Sequence, residues 1–393
     1  MGFNIWKYSE RKPLPDILSF IVDNRGKTVP TDPEGNHILI ATNCVRNENL
    51  YPSYEKIRTL NEDTYQNWFR AHPIPGDILF VCKGTPGRCC MVPDPVDFCI
   101  AQDMVALRCD DKTVYNKYLL AVLRSNEFQT QITNTSVGDV IPHFKKSFFN
   151  QLLIPIPPFE VQKAIGDAYY KFTEKQELNK KINENLQEQA KAIYSKMIIE
   201  DADESWTPGV LSDIAIITMG QSPKGDTYNE DGVGTVFFQG RAEFGFRFPT
   251  RRLSTTDPKR MAQTNDALMS VRAPVGDMNV AYENCCIGRG LAAIRSKDDH
   301  QSFVLYTLFD LRDELNVFNS EGTVFGSINR DALNSMPISI PPRRVMDEFE
   351  VIVSPIDAAI RNNYDEICRL EAIRDNILPR LMSGELEVSD LDL

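Results

Sequence analysis

Carboxylates close to a lysine are the first residues in this chain with the makings of chemistry. Pro93-Asp94 followed by Asp110-Asp111-Lys112 has the spacing of a metal-dependent nuclease, in which carboxylates hold the metal and the lysine steadies developing charge. So short a pattern recurs by chance, and Asp-Asp-Lys reads equally well as a turn after a strand. Gly220-Gln-Ser-Pro-Lys-Gly225-Asp226 is the one Gly-rich candidate for a phosphate loop, and it lacks the Lys-Ser/Thr ending that would contact phosphate and magnesium. No GxGxxG follows a strand. Amino-methyltransferases place Asn or Asp ahead of Pro-Pro-aromatic to hold the target amine, whereas Ile156-Pro-Pro-Phe159 has an Ile there and reads as a rigid turn entering a helix. The adjacent pairs Cys89-Cys90 and Cys285-Cys286 lack zinc-ligand spacing and read as half-buried strand cysteines. Four histidines, His37, His72, His143 and His300, nominate no triad.

With catalytic patterns failing, the elements that would position functional residues carry the reading. A repeat organises the chain. Gly76-Asp-Ile-Leu-Phe-Val-Cys-Lys-Gly-Thr-Pro-Gly87 aligns with Asn265-Asp-Ala-Leu-Met-Ser-Val-Arg-Ala-Pro-Val-Gly276, bringing Asp77 onto Asp266, Lys83 onto Arg272 and Gly87 onto Gly276. Cys99-Ile-Ala-Gln-Asp-Met-Val-Ala-Leu-Arg108 aligns with Cys286-Ile-Gly-Arg-Gly-Leu-Ala-Ala-Ile-Arg295. Gly138 with Val140 aligns with Gly322 with Val324, and Ile154-Pro-Ile-Pro-Pro158 with Ile338-Ser-Ile-Pro-Pro342.

After each Pro-Pro comes a long helical pattern of about forty residues. Ile165, Phe172, Asn179, Leu186 and Ile193 recur every seven residues, and Phe349, Ile356, Asn363, Leu370 and Ile377 repeat them in the second copy. Strict seven-residue spacing is the coiled-coil signal. Val161, Ala168 and Ile182, with Val345, Ile352, Ala359 and Ile373, are expected to supply much of the second seam position, interrupted by Lys175, Gln189 and Glu366. Asn179 and Asn363 are expected to face each other and fix register, in an antiparallel or parallel pair. Two amphipathic helices, each packed on its own domain, are the alternative. The rest reads as β-rich, with short strands at Ile78 to Val81, Met104 to Arg108, Val236 to Gln239 and Asn279 to Tyr282. Phe244, Phe246 and Phe248 alternate as the core face of a strand.

A chain of 393 residues with 42% hydrophobic content can bury more than one core. Its net charge of −12 argues at first against a nucleic-acid partner. The two helical segments, however, hold −9 of that charge, while residues 239 to 297 hold ten basic side chains against five acidic. Such a patch could face phosphates while the helices face something else. Nine cysteines without an even framework, and no leader or apolar run of spanning length, fit a cytoplasmic protein.

Taken in order, the variable segment, Ile-Pro-Ile-Pro-Pro-Phe-Glu-Val-Gln162, long helix, second variable segment opening on Gly220-Gln-Ser-Pro223, Ile-Ser-Ile-Pro-Pro342, long helix and Leu-Met-Ser-Gly-Glu385 resemble the specificity subunit of type I restriction-modification enzymes along essentially the whole chain. The second Pro-Pro departs from the pattern, continuing Arg343-Arg344-Val345-Met346. The resemblance implies an α+β fold in which two globular mixed α/β target-recognition domains are joined by two long helices forming an antiparallel coiled coil with a pseudo-two-fold repeat. The expected boundaries are 1–158 for the first domain, 159–200 for the first helical spacer, 201–342 for the second domain, and 343–393 for the second spacer and tail. It implies a non-catalytic subunit reading a bipartite, asymmetric double-stranded DNA target. Two modification (methyltransferase) subunits methylating adenine and the restriction/translocase subunits would be its partners. S-adenosylmethionine, ATP and Mg2+ would be bound by those partners, and no cofactor or metal by this chain. A standalone metal-dependent nuclease, or a structural adaptor without sequence readout, are the competing functions.

Base edges are read by Arg or Lys on guanine and by Asn or Gln on adenine. The candidates in the first domain are Lys83, Arg88, His143, Lys145 and Lys146. In the second they are Lys224, Gln239, Arg241, Arg272, Arg289, Asn329 and Arg330.

Overall fold

The computed structural model describes residues 4–24, 26–135, 144–203, 206–319 and 326–386. His143 and the expected loop residues Gly138, Val140, Gly322 and Val324 lie outside them. Two compact units emerge, Met1–Lys181 with Asn363–Leu393, and Ile182–Asn362. The chain passes from one to the other inside each long helix.

In the first unit, Leu18–Val22, Met104–Cys109, Ile78–Val81 and Cys89–Met91 form a four-stranded antiparallel sheet in that spatial order. A three-stranded sheet joins Arg58–Leu60, His37–Ile40 and Phe98–Ile100, the last pair parallel. The helix Asn116–Arg124 buries Tyr118 through Leu123 in the core against Phe80, Phe128 and Phe144. Glu10–Pro13 pairs with Leu153–Ile156, so the unit opens and closes on one short ribbon.

The second unit repeats this plan and adds two short strands, Tyr228–Asn229 beside Leu253–Thr255 and Met261–Ala262 beside Cys285–Ile287. Ala215–Met219, Leu291–Ser296, Ala267–Ser270 and Met278–Val280 make its four-stranded sheet. Thr235–Phe238 pairs parallel with Cys285–Ile287 and antiparallel with Leu253–Thr255. Thr207–Val210 pairs with Pro337–Ile340 as the closing ribbon. Three of the four expected strands lie within one residue of their expected bounds; the fourth, Met278–Val280, ends two residues early, where Tyr282 turns out against Arg361. The expected strand face at Phe244, Phe246 and Phe248 is absent. These residues follow the 3-10 turn Arg241–Glu243 as irregular chain, with Phe248 buried, Phe244 half-buried and Phe246 47% exposed. Eight cysteines, including both adjacent pairs, are buried free thiols; only Cys368 is exposed.

The long helices are Phe159–Tyr194, continued by a π-helical stretch Ser195–Glu200, and Arg343–Ser383. They run antiparallel in each unit. In the first, Gln176 accepts from Arg374 at 3.3 Å and Asn179 reaches Glu366. In the second, Asn183 donates to the Ile360 carbonyl at 3.1 Å and the rings of Tyr194 and Phe349 meet 5.7 Å apart. Ile165, Asn179 and Phe349 are buried; Phe172, Leu186, Ile193, Ile356, Asn363, Leu370 and Ile377 are half-buried.

The second seam line differs from the expected one. It falls four residues after the first, at Tyr169, Gln176, Asn183 and Ala190, and at Val353, Ile360, Ile367, Arg374 and Leu381. Ile182, Ile352 and Ile373 therefore point outward, 39%, 47% and 36% exposed. Apolarity alone selected them; the helices instead bury Asn183, whose amide donates to the Ile360 carbonyl, and Gln176, whose Oε1 accepts from Arg374 while its Nε2 has no partner among the described residues. Asn179 donates to the Glu366 carboxylate at 2.8 Å, and Lys175 joins that carboxylate at 3.7 Å. Two residues expected to interrupt the seam thus complete it.

Candidate nucleic-acid interface

Both units hold their candidate residues on one backbone frame. Its base is a buried aspartate placed by a left-handed residue, Gly76 at φ 85° or Asn265 at φ 71°, a region Gly and Asn enter at low cost. Asp77 takes a forked pair of hydrogen bonds from Arg108, both 3.0 Å, and one from the Ile74 amide. Asp266 takes the same from Arg295, at 2.7 and 2.9 Å, and from the Gln263 amide. The hydrogen bond to the Asp266 carboxylate raises the pKa of Arg295 further, so its guanidinium stays charged. These repeated charges lock the sheet and are spent on each other.

From that base the chain rises into a turn closed by Gly87 N to Val81 O and Gly276 N to Ser270 O, both 3.0 Å. Lys83 and Arg272 stand exposed on the two turns. Cys82 N donates to Asp103 O at 2.8 Å, and Val271 N to Gly290 O at 2.9 Å. On the other side Phe144 N reaches Cys82 O at 2.8 Å, and Ile328 N reaches Val271 O at 3.1 Å. Lys145 and Lys146 therefore occupy the same places beside Lys83 as Asn329 and Arg330 occupy beside Arg272.

Lys83, Arg88, Lys145, Lys224, Arg272, Arg289 and Arg330 have side chains without a hydrogen bond or ion pair among the described residues. Three others are engaged. Lys146 pairs with Asp23, Arg241 with Asp277, and Asn329 caps the short helix Arg330–Asn334 by accepting from Ala332 N at 2.9 Å. In the second unit Gln239, Arg241, Arg272 and Arg289 line one open cavity of about 330 Å³, together with Arg252 and Glu243, which pair at 2.6 Å.

Ser222, absent from the residues expected at the site, accepts from Arg289 N at 3.2 Å through its hydroxyl. Its neighbours tie the same hairpin, Gln221 N to Ile287 O and Gly220 N to Leu291 O, both 2.9 Å. A Cβ on Gly220 would lie 2.1 Å from Gly288 O, so this contact admits only glycine. Gly220-Gln-Ser-Pro223 is thus the brace of the Arg289 hairpin. Its occurrence as a motif was the available signal.

The Pro-Pro motifs fasten each recognition unit to its helix. Gln162 is buried; its Oε1 accepts from Tyr115 N at 2.9 Å, and its Nε2 donates to Pro157 O at 3.0 Å and Thr113 O at 3.2 Å. Met346 is buried at the matching place in the second unit. There Glu350 accepts from Ser302 N and Phe303 N, both 3.2 Å, at the start of the helix Gln301–Asp310, and buried His300 lies 2.7 Å from Asp347 and 3.0 Å from Asp298. Burial disfavours a charged His300, but the two carboxylates outweigh it and raise its pKa.

The nuclease spacing dissolves into local structure. Asp110 accepts from the Thr113 hydroxyl at 2.6 Å and the Lys112 amide at 3.3 Å, closing a turn, and those bonds lower its pKa. Among the described residues no three His, Cys, Asp or Glu side chains gather where they could hold a metal.

Two copies of one frame, each offering unpaired cations from a braced turn and carried on an antiparallel helix pair, define a duplicated recognition protein. The sequence model of the type I restriction modification DNA specificity domain matches residues 29–188 and again 203–369. The chain belongs to that family: it is a type I restriction-modification specificity subunit with two recognition domains. A Methanocaldococcus jannaschii chain provisionally named type I restriction enzyme MjaX specificity subunit is 30% identical over 341 residues, 80% of this chain and 79% of its own. The MjaIX specificity subunit of the same organism is 22% identical over 309 residues, 71% of each. The crystal structure of a type I restriction-modification S subunit from M. genitalium shares the fold, with TM-score 0.60 and 14% identity over 95% of this chain and 96% of that one.

Proposed function

We propose that this subunit reads a bipartite, asymmetric double-stranded DNA target, one half with each unit, and docks two modification subunits that methylate adenine and, with them, restriction/translocase subunits. The observation carrying this is the repeated frame, which presents chemically different side chains at equivalent places: Lys83 against Arg272, Lys145 against Asn329. Equivalent frames with different tips are what two unlike half-sites require. The remaining candidates, Arg88, His143, Lys146, Lys224, Gln239, Arg241, Arg289 and Arg330, flank those tips in sequence or space.

Docking is supported by the long helices. They carry most of the negative charge and expose Leu178, Ile182, Val351 and Ile352, apolar side chains that a docked subunit would cover. S-adenosylmethionine, ATP and Mg2+ belong on the partner subunits, this chain binding none, and the complex works in the cytoplasm. Among the described residues no helix is long and apolar enough to cross a membrane. The test is co-expression with a modification subunit in a methylation-free host, followed by mapping of methylated adenines. A split motif with two defined halves and an unspecified gap is expected. Methylation without a motif would favour an adaptor, and magnesium-dependent cutting by the purified chain, abolished by Asp94→Ala, a nuclease.

A further inference from the structure

Four arginines line the cavity of the second unit, and they divide into two kinds. Arg241 is held by Asp277 and Arg252 by Glu243. Arg272 and Arg289 have no side-chain partner among the described residues, although both rise from braced backbone. Arg272 forms a β-bridge with Ser327, and the residues flanking it bond to Gly290 O and Gly326 O, both at 2.9 Å. Arg289 is fixed through its own amide by Ser222. Because Val271 N bonds to Gly290 O, the two free guanidinium groups stem from adjoining chain segments and open on the same cavity. Rigid backbone beneath an unsatisfied fork is the arrangement that reads a base edge, since the cost of ordering the side chain is already reduced.

The matching bond in the first unit, Cys82 N to Asp103 O, puts Lys83 where Arg272 stands and Gln102 where Arg289 stands. Gln102 is half-buried, and its Oε1 is itself buried without a partner among the described residues, so the amide must turn outward to meet a base. The same two places therefore carry two guanidinium forks in one unit, and an ammonium and an amide in the other.

We propose that Arg289, together with Arg272, is a specificity-determining residue that reads guanine in the second half of the DNA target, and that Gln102 is its counterpart in the first unit. This rests on the reading of the chain as a two-headed DNA reader and names the base that one head selects. A guanidinium fork spans guanine O6 and N7, whereas an amide matches adenine N6 and N7, so exchanging the two residue types exchanges the favoured base.

The experiment is methylated-adenine mapping with the co-expressed complex carrying Arg289→Gln, the residue type of the first unit, and separately Gln102→Arg. Arg289→Gln is expected to lower discrimination for one G·C pair in the second half by roughly tenfold or more, leaving the first half as in the parent. Gln102→Arg is expected to alter the first half alone. If Arg289→Gln abolishes assembly with the modification subunit, Arg289→Lys carries the test, because it keeps the charge but removes the fork. Both halves unchanged in the variant that assembles would overturn the proposal. So would equal weakening at every site with an unaltered motif, the signature of a phosphate contact. A parent complex that methylates no split motif would instead refute the underlying reading.

Discussion

Gln162 offers the sharpest test of how a recognition unit is fastened to its helix. Its side chain satisfies three backbone groups, Tyr115 N, Thr113 O and Pro157 O, and none of it is open to solvent beyond 2%. Gln162→Met, the residue type at the matching place in the second unit, keeps the methylenes and discards the bonds. At about 1 kcal/mol net per hydrogen bond, the first unit should lose about 3 kcal/mol. Gln162→Ala also removes one buried methylene at about 0.8 kcal/mol, bringing the loss to about 4 kcal/mol. Native-state hydrogen exchange reads this locally: amides of Asn116–Arg124 should exchange faster by roughly a hundredfold in Gln162→Met, since 1.4 kcal/mol is tenfold. Amides of Gln301–Asp310 serve as the internal control and should keep their parent rates. Unchanged protection in both segments would refute the fastening, as would equal loss in both.

Asp77→Ala leaves Arg108, 28% exposed, facing a buried gap, and should destabilise the first unit by about 3 kcal/mol, measured by urea unfolding. His300 has a raised pKa, so its contribution to stability is fully present below its ordinary value, near 6.5, and is lost as pH rises through the raised one. The parent's second unit should therefore soften across that window, and His300→Gln should flatten the profile; a profile identical in both proteins would contradict the ion pairs. Inserting seven residues in register into both long helices lengthens each by about 10 Å at about 1.5 Å per residue. The unspecified gap in the methylated motif should grow by about three base pairs at about 3.4 Å each.

Much of this organisation was legible in the sequence because it is repeated. Asp77 and Asp266, Gly87 and Gly276, and the two Pro-Pro ribbons align at nearly constant offset, and each pair performs one structural task twice. The first seam line was legible for a related reason, as strict heptads leave a periodic trace. The second was not, because Gln176, Asn183 and Arg374 are polar and only tertiary contacts reveal their partners. Asn179 was recognised as a register-fixing residue, but its acceptor, Glu366, was taken for an interruption. Among candidate readers, residue type nominated Arg241 and Arg272 alike, while structure separates them: Asp277 engages one and nothing described engages the other. Ser222 and Gln102 escaped notice since their roles depend on hydrogen bonds between distant strands.

The central claim is that the two units are equivalent readers with different tips. The ribbons Glu10–Pro13 with Leu153–Ile156, and Thr207–Val210 with Pro337–Ile340, mark matching places to exchange one for the other. The most direct measurement is the methylated-adenine map of a complex whose specificity chain has residues 211–336 replaced by a second copy of residues 14–152. The expected target carries the first half-site twice, once on each side of the gap, with the original second half-site gone. Retention of the original second half-site, or its replacement by a sequence unrelated to the first, would contradict it.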